Sequence, residues 1–456
     1  MRNLARGYQS FPNAIIALFF MASAGFLLWW IWIGGYNLPG RAEALVFWST
    51  LSLLLCGSFF MTSKSRLNLS ISLVSIISTL FVINLGLAIV HPKIRGMASK
   101  EKSEEFDIRN KLEFYVDQLK EGLDITLSPS LKEVYQDYEK ERKVEELNGF
   151  IPLSGISDTL TILCNENGPY VVYRSDQYGF NNSPLVYNRT NKKLLLLGDS
   201  FVQGSCVRPG EDLTSKINEE GITTINVAIG GTGPLVQLGA LKEYGSTLNP
   251  EVVLSVFYEN DLEDLWNEYK VSFLKQYLNS EFSQGLSSRQ AEIDNFWKQL
   301  IKSKATHIKN TTNPKGPFSF YERNKRVFNL YFVRKLLGLI PYSYSVTQTL
   351  ERYSMVLEAT KREAEKLGAE FYLVYLPSYT DVQKGLQGNA MKVLDIAKEL
   401  GVPVINFYDI VQREEEPLKV FPFRLPGHYS PYGYALLAEV IAQKLYESSF
   451  AKDLDN

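Results

Sequence analysis

Apolar positions crowd the start of the chain and thin out after it. Three uncharged stretches, Gly7 to Gly40, Ala44 to Ser63 and Leu67 to Val90, each reach the ~20 residues a helix needs to cross the hydrocarbon core of a bilayer. They predict three transmembrane helices in a membrane domain over residues 1–92. Trp29, Trp30 and Trp32 suit an interfacial belt, and the stretch they close is too long for the apolar part of a cleaved signal peptide. Arg2 and Arg6 precede the first helix, Lys64 and Arg66 separate the second from the third, and only Arg41, beside Glu43, lies between the first and second. This charge bias puts the amino terminus and second loop in the cytoplasm and everything after Val90 outside, with Lys93 and Arg95 opposing it.

From Met97 to Asn148 charged residues dominate, but Phe106, Ile108, Leu112, Tyr115, Leu119 and Leu123 recur near helical spacing, which predicts a helical stalk or lid. Gly149 to Asn188 is rich in Gly, Pro, Asn and Tyr and predicts short strands and turns, so 93–190 is a stalk and lead-in. A different rhythm then begins. Apolar runs at Leu194 to Leu197, Thr223 to Ile229, Val252 to Tyr258, Phe371 to Leu376 and Val404 to Tyr408 alternate with helical patterns near Glu211 to Glu220, Leu235 to Tyr244, Met355 to Leu367, Met391 to Leu400 and Pro431 to Ser448. Continuous apolar strands separated by helices indicate a parallel sheet covered on both faces. The fold class is therefore α/β, a doubly wound parallel five-stranded sheet over 191–450. The rhythm breaks at 261–350, where Arg289 to Ser303 is helical, and this insertion can cap a site.

Composition excludes several classes. With 48 basic and 50 acidic residues in 456, the net charge of -2 gives no field to gather nucleic acid. Three histidines, and no clustered Cys/His spacing, argue against a metal site, and no phosphate-binding Walker loop occurs. No cofactor is implied. Of the three cysteines, Cys56 lies in the second membrane stretch; Cys164 and Cys206 are free to pair in an oxidising exterior or to be two separate buried thiols.

Ligands of open α/β sheets bind beyond the carboxyl ends of the strands. Gly198-Asp199-Ser200 follows the first strand, where a serine on a tight turn exposes its hydroxyl as a nucleophile if a base is in reach, or merely caps a helix. Ile229-Gly230-Gly231-Thr232-Gly233 follows the second, and consecutive glycines let backbone N–H groups approach a ligand or simply make a turn. Tyr258-Glu259-Asn260-Asp261 follows the third, and the Asn260 amide is a further donor. His91 abuts a membrane stretch and His307 lies in the insertion, which leaves His428, in Gly427-His428-Tyr429-Ser430-Pro431 before the last helix, as the base.

Taken together, these blocks resemble the SGNH (GDSL) hydrolase superfamily across about Lys193 to Leu445, apart from the insertion. The resemblance implies a flavodoxin-like sheet with Ser200 as nucleophile and His428 as base. Ser200 N–H, the Gly231 N–H and the Asn260 amide would form the oxyanion hole. Asp176-Gln177-Tyr178-Gly179-Phe180-Asn181-Asn182 also resembles a segment preceding this domain in membrane-anchored bacterial members, some linked to exopolysaccharide modification. Two departures stand out. Tyr258 replaces the glycine that usually opens the third block. The acid that normally sits two or three residues before the histidine is replaced by Pro426 and Leu425, so a backbone carbonyl, or Glu259, Asp381 or Asp409, is left to orient His428.

The resemblance implies a multi-pass protein of the bacterial plasma membrane with an extracytoplasmic catalytic domain, hydrolysing an O-acyl ester of an envelope or extracellular glycan, or a small ester. Transfer of an acyl group to a surface polysaccharide is the alternative, and it requires a membrane partner to supply the donor. A non-catalytic glycan-binding or assembly subunit is the third reading, which the missing acid favours and the intact Ser, Asn and His oppose.

Overall fold

The computed structural model describes residues 12–21, 23–25, 41–101, 106–107, 109–132, 134, 149–189, 193–311, 327, 329–336 and 344–447. They fall into two units, Met1–Ile94 with Asn313–Ser345 and Arg95–Thr312 with Val346–Asn456.

In the first unit, one helix among the described residues is long and apolar enough to cross a membrane, over Ser63–Leu87, and not three. The second predicted span is shorter because its helix, Arg41–Gly57, gives way to a 3₁₀ turn at Ser58–Phe60. Thr62 then bonds Ser65, and a new helix starts at Ser63, so that Lys64 and Arg66 stand in its first turns and not in a loop. Of the first span only Pro12–Gly25 is described, and the tryptophan belt lies outside the described residues. Polar side chains join these helices: Ser23 Oγ meets Ser52 Oγ at 2.9 Å, and Arg66 donates to Asn13 Oδ1 at 2.9 Å. Asn84, fully buried in the apolar helix, donates to the Val327 carbonyl at 2.8 Å and accepts from Phe332 and Val333 N–H at 2.9 and 3.2 Å. The stretch expected to cap a site therefore divides, since 313–345 groups with the amino-terminal helices while 261–312 stays in the second unit.

The second unit opens with helix Lys111–Lys120, whose Asn110 and Glu113 exchange side-chain bonds with each other's backbone N–H in a capping box. Much of the expected stalk, 135–148, lies outside the described residues. Strands β1 (Ile125–Leu127), β2 (Leu160–Ile162) and β3 (Val172–Arg174) form a small sheet, β1 parallel and β3 antiparallel to β2. After β3, the carboxylate of buried Asp176 accepts from Tyr178 N–H, Phe180 N–H, Asn182 Nδ2 and Tyr187 Oη at 2.5 to 2.9 Å. Burial pushes that carboxyl above its ordinary range. Gly179 has φ +84°, and a side chain there would strike the backbone of Gly155, so this turn needs glycine.

The main sheet consists of β4 (Lys193–Leu197), β5 (Thr223–Asn226), β6 (Val252–Phe257), β7 (Glu370–Tyr375) and β8 (Val404–Asn406), all parallel in the order β5-β4-β6-β7-β8. This is the flavodoxin-like order, with its switch point beside β4. Side chains alternate across the pleat. Leu194 and Leu196 of β4 pack in one cluster with Leu213, Ile217, Leu437 and Ile441 from helices Leu213–Glu219 and Pro431–Tyr446. Each fully buried leucine contributes about 1.5–3 kcal/mol. That packing makes β4 a rigid support for whatever follows it. β5 stops at Asn226 because its polar end is spoken for, with Nδ2 donating to the Asn181 carbonyl and N–H to Asn182 Oδ1. β8 stops at Asn406, where Phe407–Val411 turns helical.

Candidate active site

The chain leaves β4 through a turn that only glycine permits. A side chain on Gly198 would meet Val202 Cγ2 at 2.3 Å. Asp199 then caps the short helix Ser200–Gln203, accepting from Phe201 N–H at 2.9 Å. The cap turns Ser200 to the sheet edge, where its Oγ lies 2.8 Å from His428 Nε2 and 3.2 Å from Asp199 Oδ2. The Ser200–His428 separation suits direct proton transfer.

His428 precedes the last helix, which Ser430 caps by accepting from Gly433 N–H. Its neighbours anchor the loop, with Ser430 N–H on the Val420 carbonyl at 2.7 Å and the buried Tyr429 hydroxyl on the Pro377 carbonyl at 2.9 Å. Phe201 supports the imidazole at 4.9 Å between ring centres. The imidazole side chain is 22% exposed, enough for a substrate to reach it. On its far side, Glu166 Oε2 accepts from His428 backbone N–H at 2.7 Å and lies 3.2 Å from Nδ1, while Cys206 Sγ lies 3.8 Å from Nδ1.

Gly230 packs against Ser200, a Cβ there reaching 3.3 Å from Ser200 Cβ, and its N–H is taken by Gln203 Oε1 at 2.9 Å. Gly231 follows with φ +74° and open space where a side chain would be. Among the described residues no protein group accepts from Ser200 N–H or Gly231 N–H. Asn260 stands before helix Asp261–Glu268 with Nδ2 on Asp199 Oδ2 at 2.9 Å and on Asp264 Oδ2 at 3.0 Å, and its Oδ1 is buried without a partner. Two carboxylates facing the amide settle which end is nitrogen. Burial, reinforced by Asp199, raises the Asp261 carboxyl well above its ordinary range, and burial also raises Asp264, against the pull of Lys132.

The three residues singled out from the strand ends and His428 thus stand around the carboxyl end of β4, and Cys164 and Cys206 are joined in a disulfide. The three acids considered for His428 are engaged elsewhere. Asp381 accepts from Ser378 N–H and the Tyr375 hydroxyl, Glu259 from the Ser378 side chain, and Asp409 from Asn406 Nδ2. The carboxylate that does lie beside His428, Glu166, was not among the acids considered, because it lies in the lead-in, ahead of every block that carries the resemblance. The one signal toward it was Cys206, six residues beyond Ser200, with its partner Cys164 two before Glu166.

No family model and no curated protein matches the chain. Among solved structures it is similar to a lipase/acylhydrolase from Enterococcus faecalis, at 15% identity and TM-score 0.32, covering 56% of this chain and 96% of that one. It is also similar to the esterase EstA from Pseudoalteromonas sp., at 12% identity and TM-score 0.28, over 58% of this chain and 100% of that one. An acetyl xylan esterase matches at 11% identity and TM-score 0.30, over 56% and 99% of the two chains. At such values the functional assignment rests on the site's own geometry.

Proposed function

We propose that the chain is a membrane-anchored serine ester hydrolase that removes an acyl group, acetyl in the first instance, from a glycan of the cell envelope or exterior. The observation that carries the reading is the 2.8 Å approach of Ser200 Oγ to His428 Nε2 beside two backbone N–H groups without acceptors among the described residues. His428 takes the hydroxyl proton as Ser200 Oγ attacks the ester carbonyl. Ser200 N–H and Gly231 N–H hold the oxyanion, joined by the Asn260 amide once it turns one N–H from its carboxylates. The alcohol leaves with the proton from His428, and water, deprotonated by the same imidazole, releases the acid. Acyl transfer differs only in the final acceptor, a glycan hydroxyl in place of water.

Anchoring is supported by the apolar helix Ser63–Leu87, and an extracytoplasmic site by a disulfide beside the base, since such bonds persist in oxidising compartments. The glycan is supported by the resemblance of Asp176 to Asn182 to a segment preceding this domain in membrane-anchored bacterial members, some linked to exopolysaccharide modification. The test uses the purified full chain in detergent with p-nitrophenyl acetate. Ser200→Ala and His428→Ala are each expected to lower kcat by roughly 10⁴-fold or more. Turnover that survives both changes, or a Ser200 that ignores a fluorophosphonate probe, sinks the serine mechanism.

A further inference from the structure

The places before His428 where an orienting acid is expected hold Leu425 and Pro426, neither of which carries a charge. The carboxylate that reaches the imidazole comes from the far end of the β2–β3 connection. Glu166 Oε2 receives His428 N–H at 2.7 Å and stands 3.2 Å from Nδ1, within ion-pair distance of the ring. The nearby Cys206 sulfur, at 3.8 Å, is a weak acceptor and carries no charge.

Several ties hold this turn in place. Leu163 and Val171 N–H donate to Val171 and Cys164 carbonyls at 2.9 Å, and Gly168 N–H to the Asn165 carbonyl at 3.1 Å, closing the turn on itself. Asn165 Nδ2 reaches the Asp107 carbonyl at 2.6 Å, and Asp107 N–H returns to the Gly168 carbonyl. The residues flanking the acid then grip the nucleophile's own loop: Cys164 through the disulfide to Cys206, and Asn167 through Nδ2 to the Cys206 carbonyl at 2.7 Å. Cys206 is buried with φ +67°, a left-handed conformation that side chains adopt only when their surroundings impose it. The loop carrying Ser200, the loop carrying His428 and the turn carrying Glu166 are thus joined at one point.

We propose that Glu166 is the positioning acid of the Ser200–His428 pair and that the Cys164–Cys206 disulfide holds it there, so that the lead-in completes the active site. The proposal rests on the esterase reading above. A carboxylate at Nδ1 keeps the ring proton on that nitrogen, which leaves the Nε2 lone pair for the Ser200 hydroxyl, and it stabilises the imidazolium formed once the proton moves. No bond is made or broken at Glu166 or at the disulfide.

The test uses the full chain in detergent. Glu166→Gln is expected to lower kcat on p-nitrophenyl acetate by roughly 10²–10⁴-fold while KM stays within about threefold. Glu166→Ala is expected to recover part of the loss when formate is added, a rescue that a purely structural role does not allow. The chain has three histidines, so ¹⁵N-histidine spectra can be assigned by substitution; His428 is expected as the Nδ1–H tautomer in the unaltered protein and as a mixture in Glu166→Gln. The Cys164→Ser, Cys206→Ser double variant is expected to lose roughly 10- to 10²-fold in kcat, and to lose little more when combined with Glu166→Gln, because both act through the same carboxylate. Undiminished kcat and an unchanged tautomer in Glu166→Gln overturn the acid's role. Equal losses from the cysteine changes with and without Glu166 overturn the disulfide's part. If the unaltered protein turns over no ester, the esterase reading fails, and the tautomer comparison alone decides the place of Glu166.

Discussion

The main sheet and the lead-in hold their functional side chains by opposite means. β4 and β6 are buried along nearly their whole length, and Ser200 and Asn260 are aimed by strands packed in hydrocarbon. The lead-in has strands of three residues each and holds its shape through polar side chains on backbone groups. Asp176 gathers a turn, Trp297 Nε1 bonds the Ser154 carbonyl at 2.8 Å, and Asp294 receives both N–H and Oγ of Ser157. A sheet core loses stability in small steps as methylenes are removed, whereas a polar network loses it abruptly when one partner leaves the others buried and unsatisfied. The same molecule therefore has a forgiving scaffold for Ser200 and an exacting one for Glu166.

Substitutions can set the two regions against each other. Beyond the changes at Ser200, His428 and Glu166, the largest effect is expected just past the end of β6. Asn260→Ala removes the proposed oxyanion donor and should lower kcat by about 10²–10³-fold, with KM little changed; a loss below tenfold means that the amide stays on Asp199 and Asp264 throughout the reaction. In the lead-in, Asp176→Ala leaves Asn182 and Tyr187 without their acceptor and should cost about 2–4 kcal/mol, seen as a lower midpoint in chemical denaturation. An unchanged midpoint would erase the contrast drawn here. The smallest effect concerns Glu268, which accepts from Leu235 and Val236 N–H at 3.1 and 3.3 Å and also from Gly233 N–H. Burial pushes its carboxyl from 4.5 up to about 8. A carboxyl raised on folding stabilises the fold below its unfolded pKa, and that contribution is lost as pH climbs through the folded one. The melting temperature should accordingly fall by several degrees between pH 5 and about 8, and Glu268→Gln should flatten that slope.

Much of the sheet was legible because its strands are unbroken apolar runs, a pattern that burial on both faces dictates and that few alternatives share. Ser200, Gly231, Asn260 and His428 were legible for a related reason, since each follows a strand or precedes the last helix. Less could be read from the amino-terminal stretches, where uncharged length suggested three spans but Ser58 to Ser63 breaks one of them with local hydroxyl bonds that hydropathy ignores. Glu166 was illegible for want of any periodicity to mark it. It sits 262 positions from His428 and meets it only through tertiary structure, and of the ties that bring it there the cysteine pair alone left a trace in the residue types.

Asn84 has a practical consequence for anyone wishing to handle the catalytic unit in water. Cutting the chain after the apolar helix removes the amide that donates to Val327 and accepts from Phe332 and Val333, but leaves 313–345 attached between Thr312 and Val346. A soluble version begun near Met97 would carry Val327, Phe332 and Val333 without their Asn84 partner, and would be prone to aggregate for reasons unrelated to the site. Replacing 313–345 with a short glycine-serine bridge, along with the amino-terminal cut, removes both halves of the pairing together.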